Sequence, residues 1–557
     1  MENRPTPEDP LEATLAFALL LAQQPGVAPA GPPPRLTLEQ VRAAGEVEGL
    51  DFSPAELELV RKAVGEQLEG YERLWKFGID NSLPPAFVFS PLLPGRKVAP
   101  PRFRVQPVEL PEVARPASLD ELAFADIPTL GALVKSRKVS CVELAQASLV
   151  RLKRLDPQLH MVIHLTEERA LSQAAERDRE LAEGKWRGPL HGIPWGAKDL
   201  LAVRGTPTTW GSKIYADQVL PDDATVVKRL DEAGAVLVAK LSLGEFAYGD
   251  LWYGERTRNP WNPEKGSSGS SAGPAAAVAA GCVSFAIGSE TLGSIVSPCT
   301  VCGATGLRPT FGRVPRTGAM ALSWTMDKLG PIALTVQDAA IVLQAIQGPD
   351  DQDPTVHDFP FEASGPVDVR GWKVGYPAAD FERSADDRRV LEELKALGLE
   401  LVPVELPHAL PVSDLLVILT CEAATAFDEL TRDGRDDQMV WQAEEAWPNT
   451  FRAARLVPAV EYLRASRLRT RLMREMDETM AKVDLLVHPS RGGAALLVTN
   501  LTGHPTICAP SGFRESDGQK TPRSISFTGK LFGEAELAAV AAAWQRSTRY
   551  HLEHPRL

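Results

Sequence analysis

Three stretches of this chain carry residues whose types and spacing can do chemistry together. The first is Gly266-Ser267-Ser268-Gly269-Ser270-Ser271-Ala272-Gly273, which runs into the small residues Pro274–Gly281. The second is Gly288-Ser289-Glu290-Thr291-Leu292-Gly293-Ser294, and the third, upstream, is His191-Gly192-Ile193-Pro194-Trp195-Gly196-Ala197-Lys198-Asp199-Leu200. A serine hydroxyl is a weak nucleophile until a base takes its proton, so the chemistry needs an exposed serine, a base and donors for an oxyanion. Ser294 follows a short apolar run and a loop, and Gly293 beside it lets the backbone turn tightly. Successive N–H groups of such a turn can face a developing oxyanion. The Gly269–Gly273 turn could hold a second serine, and it leads straight into an alanine-rich helix, which a flexible linker does not do. Lys198 can act as a base only when neutral, against an ordinary pKa of about 10.4, and burial beside hydroxyls lowers that value. Together a lysine and two serines in these settings can form a proton relay able to attack an amide carbonyl.

The elements that must position these residues are short apolar strands between helices. Asp222–Asp231 reads as a helix, and Ala235–Ala239 and Val283–Ile287 read as buried strands. Trp372–Tyr376 and Leu399–Val404 read as strands around a helix over Asp386–Leu397, and Leu485–Val487 is a strand ending at His488-Pro489. The fold class expected is α/β, with a central sheet covered by helices on both faces. Residues 410–480 read as a mostly helical insertion over the site within a catalytic domain spanning 116–557. Residues 1–115 read as a helical extension and Pro-rich linker that wraps the main domain or presents an oligomer or partner surface. Pro25–Pro34 is a Pro/Gly/Ala linker, Pro84–Pro116 is extended, and Ser53-Pro54-Ala55-Glu56 has the form of a helix-opening capping box. Leu57, Val60, Val64, Leu68, Tyr71 and Leu74 then fall on one helical stripe.

Composition narrows the function. The chain has 557 residues, 44% of them hydrophobic and 24% charged, enough for a sizeable core. A net charge of −13 argues against nucleic-acid phosphate as a partner. Six cysteines in so long a chain do not read as a secreted disulfide framework, and Cys299 and Cys302 lack a second pair at metal-ligand spacing. No apolar run has the length of a membrane span. Ala13–Ala22 is apolar and Ala28-Pro29-Ala30 has the form of a cleavage site, but Glu2, Asp9 and Glu12 outweigh Arg4, so a short amphipathic helix is expected there. The expectation is a cytoplasmic protein without metal, cofactor, membrane or nucleic-acid partner, acting on a small molecule, with a homodimer left open.

In order and spacing, Gly269-Ser270-Ser271-Ala272-Gly273, Gly293-Ser294-Ile295 with Pro298, and Gly192-Ile193-Pro194 with Lys198-Asp199 resemble the amidase signature family. Cys302–Thr310, Asp327-Lys328-Leu329-Gly330-Pro331 and Thr499–Pro505 continue the resemblance, which covers 118–557. It implies a mixed-sheet fold and a Ser–cisSer–Lys triad. Ser294 would be the nucleophile and Lys198 the base. Ser270, with its peptide bond cis, would be the bridge, chosen over Ser267 for its distance to Ser294. Backbone N–H groups of Thr291, Leu292, Gly293 and Ser294 would hold the oxyanion. Leu292 replaces a common glycine, Glu290 an aspartate, Val296 an arginine and Trp195 a small aliphatic. Members of the family cleave carboxamide C–N bonds. A hydrolase of small, hydrophobic or aryl amides is therefore expected, with esters as side substrates.

Other readings stay open at this point. Gly269–Gly273 also fits the G-x-S-x-G elbow of α/β-hydrolases, with Ser271 as nucleophile and His488 or His504 as base. Within the family, the chain could be the amidase component of a tRNA-dependent amidotransferase. A binding protein that kept the fold is the third alternative. Trp195 and Trp324 are candidates for the substrate pocket, with Trp210, Trp252, Tyr253 and Trp261 nearby in sequence. Glu255, Arg256 and Arg258 are candidates only through proximity to the Gly/Ser run.

Overall fold

The computed structural model of the chain describes residues 35–76, 80–516 and 519–557. The Ala13–Ala22 helix and the Pro25–Pro34 linker expected above lie outside these residues. The chain divides into two compact units, with the boundary between Ile79 and Asp80.

The first unit contains the helices Leu38–Val47 and Pro54–Leu74. Ser53 caps the second of these in a reciprocal box: its hydroxyl accepts from Glu56 N, and the Glu56 carboxylate accepts from Ser53 N at 2.8 Å. Leu57 on the expected stripe is buried, whereas Tyr71 and Leu74 at its far end are exposed.

The second unit is built on an eleven-stranded sheet. Its order is Val162–Leu165, Val236–Leu241, Pro194–Lys198, Phe285–Glu290, Lys328–Ala333, Thr305–Arg308, Thr506–Ser516, Gln519–Gly529, Leu485–Pro489, Lys373–Tyr376 and Glu400–Pro403. Pro194–Lys198 pairs in parallel with strands on both sides, and Lys328–Ala333 then pairs antiparallel with Phe285–Glu290. The sheet is therefore mixed, as expected. Its central strands are buried end to end, which is why they read as apolar runs rather than alternating ones.

Lys198, Leu241 and Glu290 all end their strands at one edge of three parallel neighbours. The carboxyl edge of parallel strands is where open α/β sheets place their sites, because the loops that leave it can converge. The region expected as an insertion carries the helices Val417–Ala426, Asp428–Asp433, Trp447–Ala454 and Ala459–Met480. Residues 80–117 hold no helix or strand and pack along this unit: Asn81 donates to the Ala321 carbonyl at 3.0 Å, and Phe89 meets Phe311 edge-on at 5.1 Å. No helix among the described residues is long and apolar enough to cross a membrane.

Candidate active site

Lys198 ends its strand with its side chain wholly buried. Three serine hydroxyls surround the amine: Nζ donates to Ser270 Oγ at 2.8 Å, to Ser289 Oγ at 2.9 Å and to Ser271 Oγ at 3.1 Å. Burial holds this lysine well below its ordinary pKa, against the opposing pull of Asp327 and Glu290. Lys240, equally buried on the next strand, has a different environment. Its Nζ lies 2.6 Å from Asp199 Oδ1, and the other Asp199 oxygen accepts from Thr209 N at 2.8 Å and Thr209 Oγ1 at 2.6 Å. Adjacent residues 198 and 199 thus face opposite ways, one into hydroxyls and the other into an ion pair.

The Ser270 turn lies between the strand Asn262–Gly266 and the buried helix Ala272–Ala279. The Gly269–Ser270 peptide bond is cis. Only glycine fits at 269, because a Cβ there would stand 1.7 Å from the Gly249 carbonyl oxygen. Asp250 accepts from Ser268 N at 3.0 Å, and Thr257 O accepts from Ser267 N at 2.9 Å. Ser271 ties the turn to the other two segments: its N–H donates to the Ser294 carbonyl at 3.0 Å and its hydroxyl to the Ser289 carbonyl at 3.1 Å.

Ser294 follows Gly293, which turns the chain at φ 85°. Ser294 is 9% exposed, and its hydroxyl makes no hydrogen bond among the described residues. The turn is held from behind. Glu290 Oε2 accepts from Ile295 N at 2.8 Å and Val296 N at 2.9 Å, and Oε1 accepts from Arg308 at 2.7 Å and Asn500 at 2.8 Å. Burial opposes the charge on Glu290, but Arg308, Lys328 and these donors bring its pKa down to about 2. The Thr291 hydroxyl donates to Asp327 Oδ1 at 2.6 Å, while Asp327 Oδ2 accepts from Leu322 N at 2.8 Å and Ser323 N at 2.9 Å. Burial raises the Asp327 carboxyl. The helical region reaches the same loop, with Glu422 accepting from Ser323 Oγ at 2.6 Å and Thr325 Oγ1 at 2.8 Å.

Lys198, Ser270 and the Ser294 turn are thus brought to one sheet edge. Ser289, Asp327, Lys328 and Asn500 join them without having been assigned roles from sequence. The signal available for Ser289 and Glu290 was polarity at the end of an otherwise apolar strand. Trp195 is corrected. It is 1% exposed, stacks on Phe285 at 5.9 Å, and lies three residues down the strand from Lys198, about 10 Å below the edge. It packs the sheet rather than facing a substrate. Trp324 is half-buried on the loop that Asp327 and Glu422 hold. Trp252 and Trp261 donate to the carbonyls of His160 and Cys302, and Trp210 is buried beside Tyr215 and Phe427.

The elbow arrangement is absent among the described residues. His488 bonds to Thr528 at 3.0 Å and His504 to Thr502 at 2.8 Å, and burial pushes them down to about 4 and about 3. Cys299 and Cys302 are buried free thiols whose pKa burial raises.

The family model described as Amidase matches residues 143–503. A glutamyl-tRNA(Gln) amidotransferase subunit of Chloroflexus aurantiacus is 34% identical over 491 residues, which is 79% of this chain and 100% of the relative. The solved peptide amidase of Stenotrophomonas maltophilia has a TM-score of 0.70 at 32% identity, covering 78% of this chain and 99% of its own. The corresponding amidotransferase subunit of Thermotoga maritima has a TM-score of 0.65 at 28% identity, covering 79% and 97%. The chain belongs to the amidase signature family and is an enzyme of carbon–nitrogen amide bonds.

Proposed function

We propose that the chain hydrolyses carboxamides through an acyl-enzyme on Ser294, with Ser270 as the bridge and Lys198 as the base. The observation that carries this reading is the setting of Lys198: a wholly buried amine among three hydroxyls, with no carboxylate in ion-pair distance among the described residues. Burial holds this amine well below the ordinary lysine value, which favours the neutral form that the relay needs. The Ser271 hydroxyl is committed to the Ser289 carbonyl. A neutral Lys198 can therefore donate to Ser271 and Ser289 and turn its lone pair to the Ser270 hydroxyl. Ser270 passes its proton to Lys198 and takes one from Ser294 as Ser294 Oγ bonds to the carbonyl carbon. The oxyanion falls to the N–H groups of Thr291, Leu292, Gly293 and Ser294. Collapse expels the amine, which leaves with the relayed proton. Water, deprotonated by the same relay, then releases the carboxylate and restores Ser294.

Small, hydrophobic or aryl amides are the substrates proposed, with Trp324 as one wall of the pocket. A second reading has its own support: the Chloroflexus aurantiacus relative, covered over its full length, is one component of an amidotransferase. One experiment separates them. Ammonia and amine release is measured from a panel of primary amides, anilides, fatty-acid amides and esters, with wild type and Ser294→Ala. Release by wild type alone, abolished in Ser294→Ala, is the expected result. Release that survives the substitution removes Ser294 from the mechanism. No release until tRNA and a second protein component are supplied favours the amidotransferase reading.

A further inference from the structure

Lys328 is a second buried lysine at this site, and the relay does not use it. It opens the strand Lys328–Ala333 directly across from Glu290 in antiparallel register and is 2% exposed. Its Nζ donates to Asn500 Oδ1 at 2.9 Å and reaches the Thr291 carbonyl oxygen at 3.4 Å. Asn500 in turn donates to Glu290, whose carboxylate is already paired with Arg308 at 2.7 Å. A methionine would fill this space without the cost of desolvating an amine, so what Nζ touches is the clue to its presence.

The Thr291 carbonyl belongs to the same peptide unit as the Leu292 N–H. A donor on that carbonyl polarises the unit and fixes its plane, making the N–H on its other side a stronger and better aimed donor. The flanks of the turn are held by other groups: Asp327 takes the Thr291 hydroxyl, and Glu290 takes the Ile295 and Val296 N–H groups. Lys328 holds the peptide between those anchors.

We propose that Lys328 is a positioning residue for the oxyanion turn, setting the Leu292 N–H toward the substrate's carbonyl oxygen through its contact with the Thr291 carbonyl. The inference rests on the acyl-enzyme reading above. Burial and Arg308 hold the Lys328 amine well below the ordinary lysine value, with Glu290 and Asp327 pulling the other way. The amine has N–H donors for both contacts whether it is neutral or protonated. A contact of 3.4 Å is long for a hydrogen bond. Bonds of this kind tighten when charge develops in the transition state.

The test uses the full chain as wild type, Lys328→Met and Ser294→Ala, with an amide that the wild type turns over. Two inhibitors built on the same acyl group accompany it: the aldehyde, which forms a tetrahedral oxyanion adduct, and the alcohol, which does not. In Lys328→Met, kcat is expected to fall about 10- to 100-fold with KM within about twofold. Affinity for the aldehyde should weaken by the same factor as kcat/KM while that for the alcohol is unchanged. A fall of less than about threefold, or equal weakening of aldehyde and alcohol, overturns the proposal. Lys328→Gln, which keeps a shorter donor, carries the same test if the methionine variant does not fold, and its loss should be smaller. Ser294→Ala separates the two levels. Activity that survives it overturns the acyl-enzyme reading and this inference with it. Loss in Ser294→Ala beside an unchanged Lys328→Met overturns the role of Lys328 alone.

Discussion

Lys198 and Lys240 are buried to the same depth on neighbouring strands, yet they are built for opposite uses. Lys240 neutralises Asp199 at 2.6 Å, so Lys240→Met leaves a buried carboxylate unpaired and should cost about 3–5 kcal/mol of stability by urea denaturation. Lys198 neutralises nothing, so Lys198→Met should leave stability within about 1 kcal/mol and lower kcat/KM about 1000-fold or more. The pH profile follows from the same burial. In the proposed relay the active form is the neutral amine, so activity is expected above the lowered Lys198 pKa and should be lost as pH falls through it. At this scale the meeting of Lys198, Ser270 and the Ser294 turn at one sheet edge was legible, because three ordered motifs single them out among ordinary serines and lysines. It was not legible for the partners of Glu290, since Arg308 and Asn500 stand 18 and 210 residues away and nothing local links them. Trp195 misled for a related reason: an aromatic residue near a motif does not reveal how deep in a strand it lies.

Between elements, Glu245 joins the loop beneath the Ser270 turn to the helical region. Its Oε2 accepts from Val440 N at 2.8 Å, and Phe246 and Ala247 beside it are held at φ 48° and 61°. Trp447 donates to the Phe246 carbonyl at 3.0 Å, and the Phe246 and Phe427 rings lie 4.5 Å apart. Burial pushes the Glu245 carboxyl up to about 7, against the opposing bonds from Ser212 and Val440. With a raised value the folded state keeps a proton that the unfolded chain gives up. The stability it contributes is complete below the unfolded carboxyl pKa and is lost as pH rises through about 7. Glu245→Gln keeps the acceptor for Val440 and removes the titration. It should be more stable than wild type by about 1–3 kcal/mol at about pH 8 and equal to it at about pH 4, read by urea denaturation at both values. Buried strands such as Val236–Leu241 and Phe285–Glu290 were visible as apolar runs. The long hairpin Thr506–Ser516 and Gln519–Gly529 was not, because Pro510, Gly512 and Pro522 interrupt it and its register shifts between Pro510 and Gly512. Lys328–Ala333 escaped similarly, carrying Gly330 and Pro331 inside a buried strand.

For the whole molecule, the division between Ile79 and Asp80 places the candidate site in the second unit along the chain. Every side chain in the proposed relay, the proposed oxyanion turn and the network behind it belongs to the second unit, and the family model matches only 143–503. Residues from Asp80 onward do pack on that unit: Asn81 bonds both ways with Ala321, at 3.0 Å and 2.7 Å, on the loop that leads to Asp327. A cut at 115 would remove those bonds, as well as the Phe89 ring that packs on Phe311. A cut at 79 would not. A chain beginning at Asp80 is therefore expected to keep kcat/KM within about threefold of the full chain, whereas one beginning at Pro116 should lose stability and with it activity. Kinetics and thermal melting of the two truncated chains side by side make the comparison. If the chain from Asp80 drops tenfold or more in kcat/KM while its melting is unchanged, the first unit is needed for turnover and this expectation fails.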